Sequence, residues 1–213
     1  MKITVLTSSK KHPVYGHLTR WGEALAGAHD VEIVLSSKEA AGGDFLFMIS
    51  CSEIVGAAVR ERYRHSLVVH ASALPKGRGW SPYVWQILAG ADEIPVTLLE
   101  AEDKVDTGRI WLQKPMILEG HELSGEIHEA LSRVTVELMS EAVEREGEIT
   151  PRPQSEGEAT TYPKRTREDS RLELNKPLGE QINLLRVCDP ERYPAFFEYK
   201  GHKYTVKVEK ADD

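Results

Sequence analysis

The sequence has little of what usually betrays a function on inspection. It carries only two cysteines, Cys51 and Cys188, and neither has a second ligand spaced as in a zinc site, so a metal centre and a disulfide framework are not expected. Both read as free, buried thiols. No run of about 20 apolar residues occurs, the length a helix needs to cross a bilayer, and the opening MKITVLTSSKK lacks the apolar core of a signal peptide. A cytoplasmic protein without a membrane partner is the expectation. Positive charge is in deficit: 27 Lys and Arg stand against 34 Asp and Glu, for a net charge of −7. Binding to a nucleic-acid duplex draws on clustered cations, so a nucleic-acid partner is not expected. No Gly-x-Gly-x-x-Gly follows the first apolar run, which removes the motif basis for a dinucleotide site. There is no internal repeat.

What is present is an alternation of short β-branched runs with helical patterns. KITVLT at 2–7, VEIVLS at 31–36, the nearly continuous apolar DFLFMIS at 44–50 and SLVVHAS at 66–72 read as strands. Between them, 13–27 places Leu18, Trp21 and Leu25 on one helical face, and 52–64 predicts a second helix with Ser52 as its cap. This βαβαβ order predicts an α/β fold, a doubly wound, mostly parallel Rossmann-like sheet. Further strands are expected at 95–101 and 109–113, then a long helix over about 122–145 that should close the second face of the sheet. Residues 147–171 turn to Gly, Pro, Glu, Thr and Arg, and predict an extended surface connection. A short helix and a hairpin turning at Lys200-Gly201 follow. The chain therefore divides, on this reading, into a main domain over 1–150 and a packed extension over 151–213.

The chemistry is concentrated between 68 and 108. His70 leaves a predicted strand, a loop with Pro75, Gly77, Gly79 and Pro82 carries the chain over the carboxyl ends of the strands, and Asp106 sits in a polar turn closed by Gly108. Ligands of open α/β sheets bind in that region. A basic cluster at Lys164, Arg165, Arg167 and Arg171, interrupted by Glu168 and Asp169, reads either as a solvated face or as a site for a phosphorylated ligand.

His70-x-Ser72-x-Leu74-Pro75, Gly77-Arg78-Gly79, Pro82 and Val105-Asp106-Thr107-Gly108 occur in this order, with Asp106 thirty-six positions after His70. In this set the sequence resembles the folate-dependent formyltransferases, the family of methionyl-tRNA formyltransferase and the nucleotide-sugar N-formyltransferases. Ala159-Thr160-Thr161-Tyr162-Pro163-Lys164 and Asn183-Leu184-Leu185-Arg186 extend the likeness, to roughly residues 44–197. The resemblance implies 10-formyltetrahydrofolate as formyl donor, no metal, and His70 and Asp106 as catalytic residues. It places Ser50, Cys51, Ser52 and Ile54, with Glu102, Lys104 and Val105, around the pterin of the donor. Ser72, Lys76, Arg78, Trp80, Tyr162, Lys164 and Arg165 are the acceptor-side candidates. The acceptor it suggests is the primary amine of a nucleotide-linked amino sugar, the extension being too small to match the carboxy-terminal barrel used on tRNA. An aminoacyl or peptide acceptor and a catalytically degenerate folate-binding protein are the competing readings. The protein is expected as a monomer or homodimer.

One departure stands out. The family carries an Asn two residues before the His, and this sequence has Val68 there. An amide donates to an oxyanion and a valine side chain cannot, so a compensating donor such as Ser50 or Ser72, or a slower reaction, is expected.

Overall fold

In a computed structural model, which describes residues 1–211, the chain forms ten strands and five α-helices. The first half lays down β1 (Lys2–Leu6), α1 (Val14–Leu25), β2 (Asp30–Val34), β3 (Gly43–Met48), α2 (Ala57–Arg60) and β4 (Tyr63–His70). A two-residue strand β5 (Arg78–Gly79), α3 (Pro82–Leu88), β6 (Glu93–Glu100), β7 (Ile110–Ile117) and α4 (Ser124–Glu144) complete the main body. Beyond it come β8 (Thr161–Tyr162), a 3-10 turn at Glu168–Ser170, α5 (Leu178–Val187) and the hairpin β9 (Ala195–Tyr199) and β10 (His202–Val206).

The main sheet has the order β2-β1-β3-β4-β6-β7. The pairs β1 with β2, β1 with β3 and β3 with β4 are parallel, while β6 runs antiparallel to β4 and β7 antiparallel to β6. The sheet is thus mostly parallel, as the apolar runs at 44–50 and 66–72 imply. Phe45, Leu46, Phe47 and Leu67 are fully buried because both faces of these strands are covered.

The long helix does not close the second face. It lies on the same face as α1, where Leu18 and Trp21 of α1 join Ile127, Val134, Leu138, Met139 and Ala142 of α4 in one core, and Trp21 Nε1 donates to Ser140 Oγ at 2.9 Å. The opposite face buries Leu6, Val34, Leu46, Met48 and Val55 under irregular chain and the single turn of α2. That turn corrects the helix expected over 52–64. Ser52 does not cap it: the Ser52 N–H and hydroxyl both bond Ser8 Oγ, at 2.7 and 3.0 Å, and the helix starts only at Gly56. These bonds keep 50–55 as a loop over the carboxyl ends of β1 and β3, and β4 begins at Tyr63, opposite Gly43.

α3 is not expected from the sequence, in which Pro75, Gly77, Gly79 and Pro82 read as loop. Pro82 occupies its first turn, a position where the missing N–H costs nothing, and Val84 and Ile87 face the core. At the other end of the chain the expected hairpin is present, with Lys200 and Gly201 at φ 47° and 81° in its two-residue turn. Of the two thiols read as buried, Cys188 is; Cys51 is half-exposed. No helix among the described residues is long and apolar enough to cross a membrane.

Candidate functional site

His70 ends β4, with its residue opposite Thr97 of β6. The chain then turns through a cis Leu74–Pro75 peptide and is steered by three side chains: Thr97 Oγ1 donates to Ser72 O at 2.7 Å, Gln113 Nε2 to Thr97 Oγ1 at 2.8 Å, and Gln86 Nε2 to Ala71 O at 2.7 Å. Residues 77–80 run beside the connection at 160–162. Arg78 N–H donates to Thr160 O, Trp80 N–H to Tyr162 O and Gly77 N–H to Thr160 Oγ1, at 2.9, 3.2 and 2.8 Å. Two glycines are required by this close approach. At Gly79, φ is +95° and a Cβ would lie 2.5 Å from Tyr162 O; at Gly77, φ is +74° and a Cβ would lie 2.9 Å from both Ser72 Cβ and Tyr162 Cε2.

The loop returns to His70. Its Nε2 lies 2.8 Å from Gly77 O, and since a carbonyl only accepts, the hydrogen of that bond sits on Nε2. Nδ1 is then the nitrogen turned to Asp106, whose Oδ1 lies 3.4 Å away. Both side chains are almost completely buried, at 8% and 6% exposure. The other carboxylate oxygen of Asp106 accepts Gly79 N–H at 2.9 Å. The turn that carries Asp106 is pressed onto β6: a Cβ at Gly108 would stand 1.9 Å from Glu100 O. Asp106 itself has φ 58°, a left-handed conformation that Asp tolerates better than most residues.

Two loops expected around a donor meet above the second face of the sheet. The loop at 50–56 bears Ser50, in a left-handed conformation, with Ser52 and Ile54 exposed, Ile54 by 82%. The loop at 101–106 exposes Glu102, Lys104 and Val105. Arg60 of α2 buckles the two together, with Nε to Val55 O at 3.0 Å, a guanidinium nitrogen to Ala101 O at 2.5 Å and an ion pair to Asp103. Farther out on the first loop, Ser37 bonds hold the Glu53 carboxyl below its usual range, and burial pushes the Cys51 thiol up, which disfavours its nucleophilic form.

The acceptor-side candidates fall into three places. Trp80, Tyr162 and Lys164 come together: Lys164 Nζ stands 4.8 Å over the exposed Trp80 ring, and Tyr162 stacks on Trp85 at 6.2 Å. Arg165 turns away from that group and donates to Ser170 Oγ at 3.1 Å. Ser72 is buried, its Oγ without a partner, while Lys76 is exposed on the loop and Arg78 donates to Gln154 Oε1 at 2.6 Å. Val68 packs against Leu74, Leu99 and Ile110.

The sequence reading missed Arg60, Thr160 and Gln154 as site-building residues. Thr160 lay within the resembling segment, but nothing in the spacing singles out the other two. Among the described residues, no three His, Cys, Asp or Glu side chains are grouped to hold a metal ion.

Comparison with known proteins bears on the family and the fold. Residues 4–143 match a family model described as formyl transferase. Over 161 residues the chain is 31% identical to methionyl-tRNA formyltransferase of Synechococcus sp. (strain JA-3-3Ab), covering 74% of this chain and 50% of that protein. The chain thus spans about half the length of the curated relatives it matches. Among solved structures, methionyl-tRNA formyltransferase from Clostridium thermocellum aligns with a TM-score of 0.85 at 20% identity, over 100% of this chain and 94% of that one. A 4-N formyltransferase from Francisella tularensis gives 0.75 at 19%, over 100% and 98%. HypX from Aquifex aeolicus, solved with tetrahydrofolic acid, gives 0.80 at 20%, over 98% of this chain and 37% of that one. At these identities the structural likeness speaks for the fold.

Proposed function

The chain belongs to the formyl transferase family, and from that premise we propose that it moves a formyl group from 10-formyltetrahydrofolate to the primary amine of a nucleotide-linked amino sugar. The observation that carries this reading is the buried pair of His70 Nδ1 and Asp106 Oδ1 at 3.4 Å, on a loop at the carboxyl end of β4. In the proposed reaction the neutral amine attacks the formyl carbon, the carbonyl oxygen gathers negative charge, and the bond from that carbon to the folate nitrogen breaks. Asp106 takes the proton the amine loses, directly or through water, and hands it on to the departing folate nitrogen, so the carboxylate is regenerated. His70, with Nε2–H fixed on Gly77 O, turns Nδ1 toward the reacting atoms, and in its doubly protonated form donates there to the oxyanion.

The donor is assigned to the surface between the loops at 50–56 and 101–106. Ile54 and Val105 offer apolar surface to a flat ring, and the polar edges of a pterin match the backbone groups of loops that Arg60 holds in place. The tetrahydrofolic acid seen with HypX supports a folate at this fold. On the acceptor side, Trp80 offers an exposed ring for a base or sugar and Lys164 a cation for a diphosphate. The sugar reading draws further support from the 4-N formyltransferase among the structural neighbours.

A second reading is favoured by the sequence relatives, which are methionyl-tRNA formyltransferases: an aminoacyl amine as acceptor. Incubation with 10-formyltetrahydrofolate and separate panels of UDP-, dTDP- and CMP-linked amino sugars and aminoacyl amines, followed by tetrahydrofolate release, tests both. Turnover with a nucleotide sugar supports the proposal. Turnover with aminoacyl amines alone replaces it with the second reading, and folate binding without turnover on either panel leaves a binding protein.

A further inference from the structure

The turn that presents Asp106 is held by one side chain from a distant part of the sequence. Gln154 Nε2 donates to Asp106 O at 2.8 Å and to Gly108 O at 3.0 Å, and Gln154 Oε1 accepts Arg78 Nη2 at 2.6 Å. Both amide hydrogens and the amide oxygen are thereby engaged. Gln154 has no donor left to offer a substrate and its oxygen is turned to Arg78, so its role is exerted through the residues it binds.

Those residues need holding. Asp106 stands in the left-handed region, where an L-residue stays only if its surroundings fix it. Its carboxylate is tied at one oxygen to Gly79 N–H, on the loop that also fixes His70 through Gly77 O. Its backbone is tied on the other side by Gln154. We infer that Gln154 is a positioning residue for Asp106: by donating to two carbonyls of the 106–108 turn it sets where the carboxylate meets His70 Nδ1. Arg78, by engaging Oε1, fixes the orientation of the amide so that its nitrogen faces the turn.

The chemistry of the amide makes this testable apart from general packing. Gln154→Glu keeps an acceptor for Arg78, now as an ion pair, but presents oxygen rather than N–H to the carbonyls of Asp106 and Gly108. If Gln154 merely pinned the connection at 151–163 to Arg78, glutamate would serve as well. If it positions Asp106, glutamate fails, and Gln154→Ala fails alike.

The kinetic arm of the test rests on the reading of His70 and Asp106 as the reactive pair; the exchange arm does not. Gly79 N–H points away from β8 and to the Asp106 carboxylate, so its hydrogen exchange reports where that carboxylate is. Exchange is measured by NMR on the full chain, with Leu67 in β4 as reference for global opening. The expected result is Gly79 exchange at least tenfold faster in Gln154→Glu and Gln154→Ala with Leu67 unchanged. The kinetic expectation is kcat at least tenfold lower with KM for donor and acceptor within threefold, and no further loss when Gln154→Glu is added to Asp106→Asn. Unchanged Gly79 exchange in Gln154→Glu overturns the inference, and so does a loss of kcat that persists in full beside Asp106→Asn. Should the unaltered chain transfer no formyl group, the proposed function fails while the exchange result still decides the positioning role.

Discussion

Val68 stands two residues before His70 on the same face of β4, and its side chain packs against Leu74, Leu99 and Ile110 rather than facing a polar partner. The position where the family offers an amide is here an apolar wall. In the proposed reaction His70 is left to serve the oxyanion unless the hydroxyl of Ser72, buried and without a partner, turns to it.

A Val68→Asn substitution therefore offers a donor, and its expected effect is a rise in kcat of about a hundredfold, the lower end of what one oxyanion donor contributes. It should also cost about 1–3 kcal/mol of stability, because the amide replaces a methyl pair among Leu74, Leu99 and Ile110. Steady-state kinetics and urea unfolding on the same variant check both.

Arg60 joins the two loops assigned to the donor through three contacts. Arg60→Ala should raise the KM for 10-formyltetrahydrofolate about tenfold, since hydrogen bonds from a charged group are worth about 1.5–3 kcal/mol, and leave acceptor KM within twofold. Equal effects on both substrates would show that the buckle supports the whole site rather than the donor surface.

Gly108 tolerates no side chain, because its Cβ would overlap Glu100 O. Gly108→Ala should lower the unfolding free energy by about 3 kcal/mol, seen as a Tm lower by about 6–12 °C for a domain of this size. Activity should fall with it, as the 106–108 turn must lift off β6.

Acid should destabilise the fold through His12. Burial, then the nearby His128 and Arg192, lower its pKa from 6.5 to about 4, and its Nδ1 accepts the Val14 N–H at the start of α1. A depressed histidine is protonated more readily when unfolded, so its contribution is complete above about pH 6.5 and is lost as pH falls toward 4. His128 is shifted in the same direction, burial being the main cause. His12→Gln should flatten the fall in unfolding free energy between pH 6.5 and 4, measured by denaturant titration at several pH values.

The pairing of His70 with Asp106 was legible in the sequence because both lie in an ordered set of motif residues, and the parallel strands because they are apolar on both faces. α3 was not, since Pro82 and the glycines before it read as loop, although Val84 and Ile87 carry a helical spacing once Pro82 is taken as a first-turn residue. The helix expected over 52–64 fails for a tertiary reason: Ser8 and Arg60 draw 50–55 into a loop over the carboxyl ends of β1 and β3. Gln154 was invisible for a different cause. Two of its partners are backbone carbonyls, which leave no trace in residue types, and the third, Arg78, is remote in sequence.

The central claim is that His70 and Asp106 together carry formyl transfer. Its most direct test is amine-dependent release of tetrahydrofolate from 10-formyltetrahydrofolate by His70→Asn and Asp106→Asn, each shown to be folded by far-UV circular dichroism and thermal unfolding. The account predicts that kcat falls at least a hundredfold in each variant, with the double variant no slower than the worse single one. Full rates in either folded variant would contradict it.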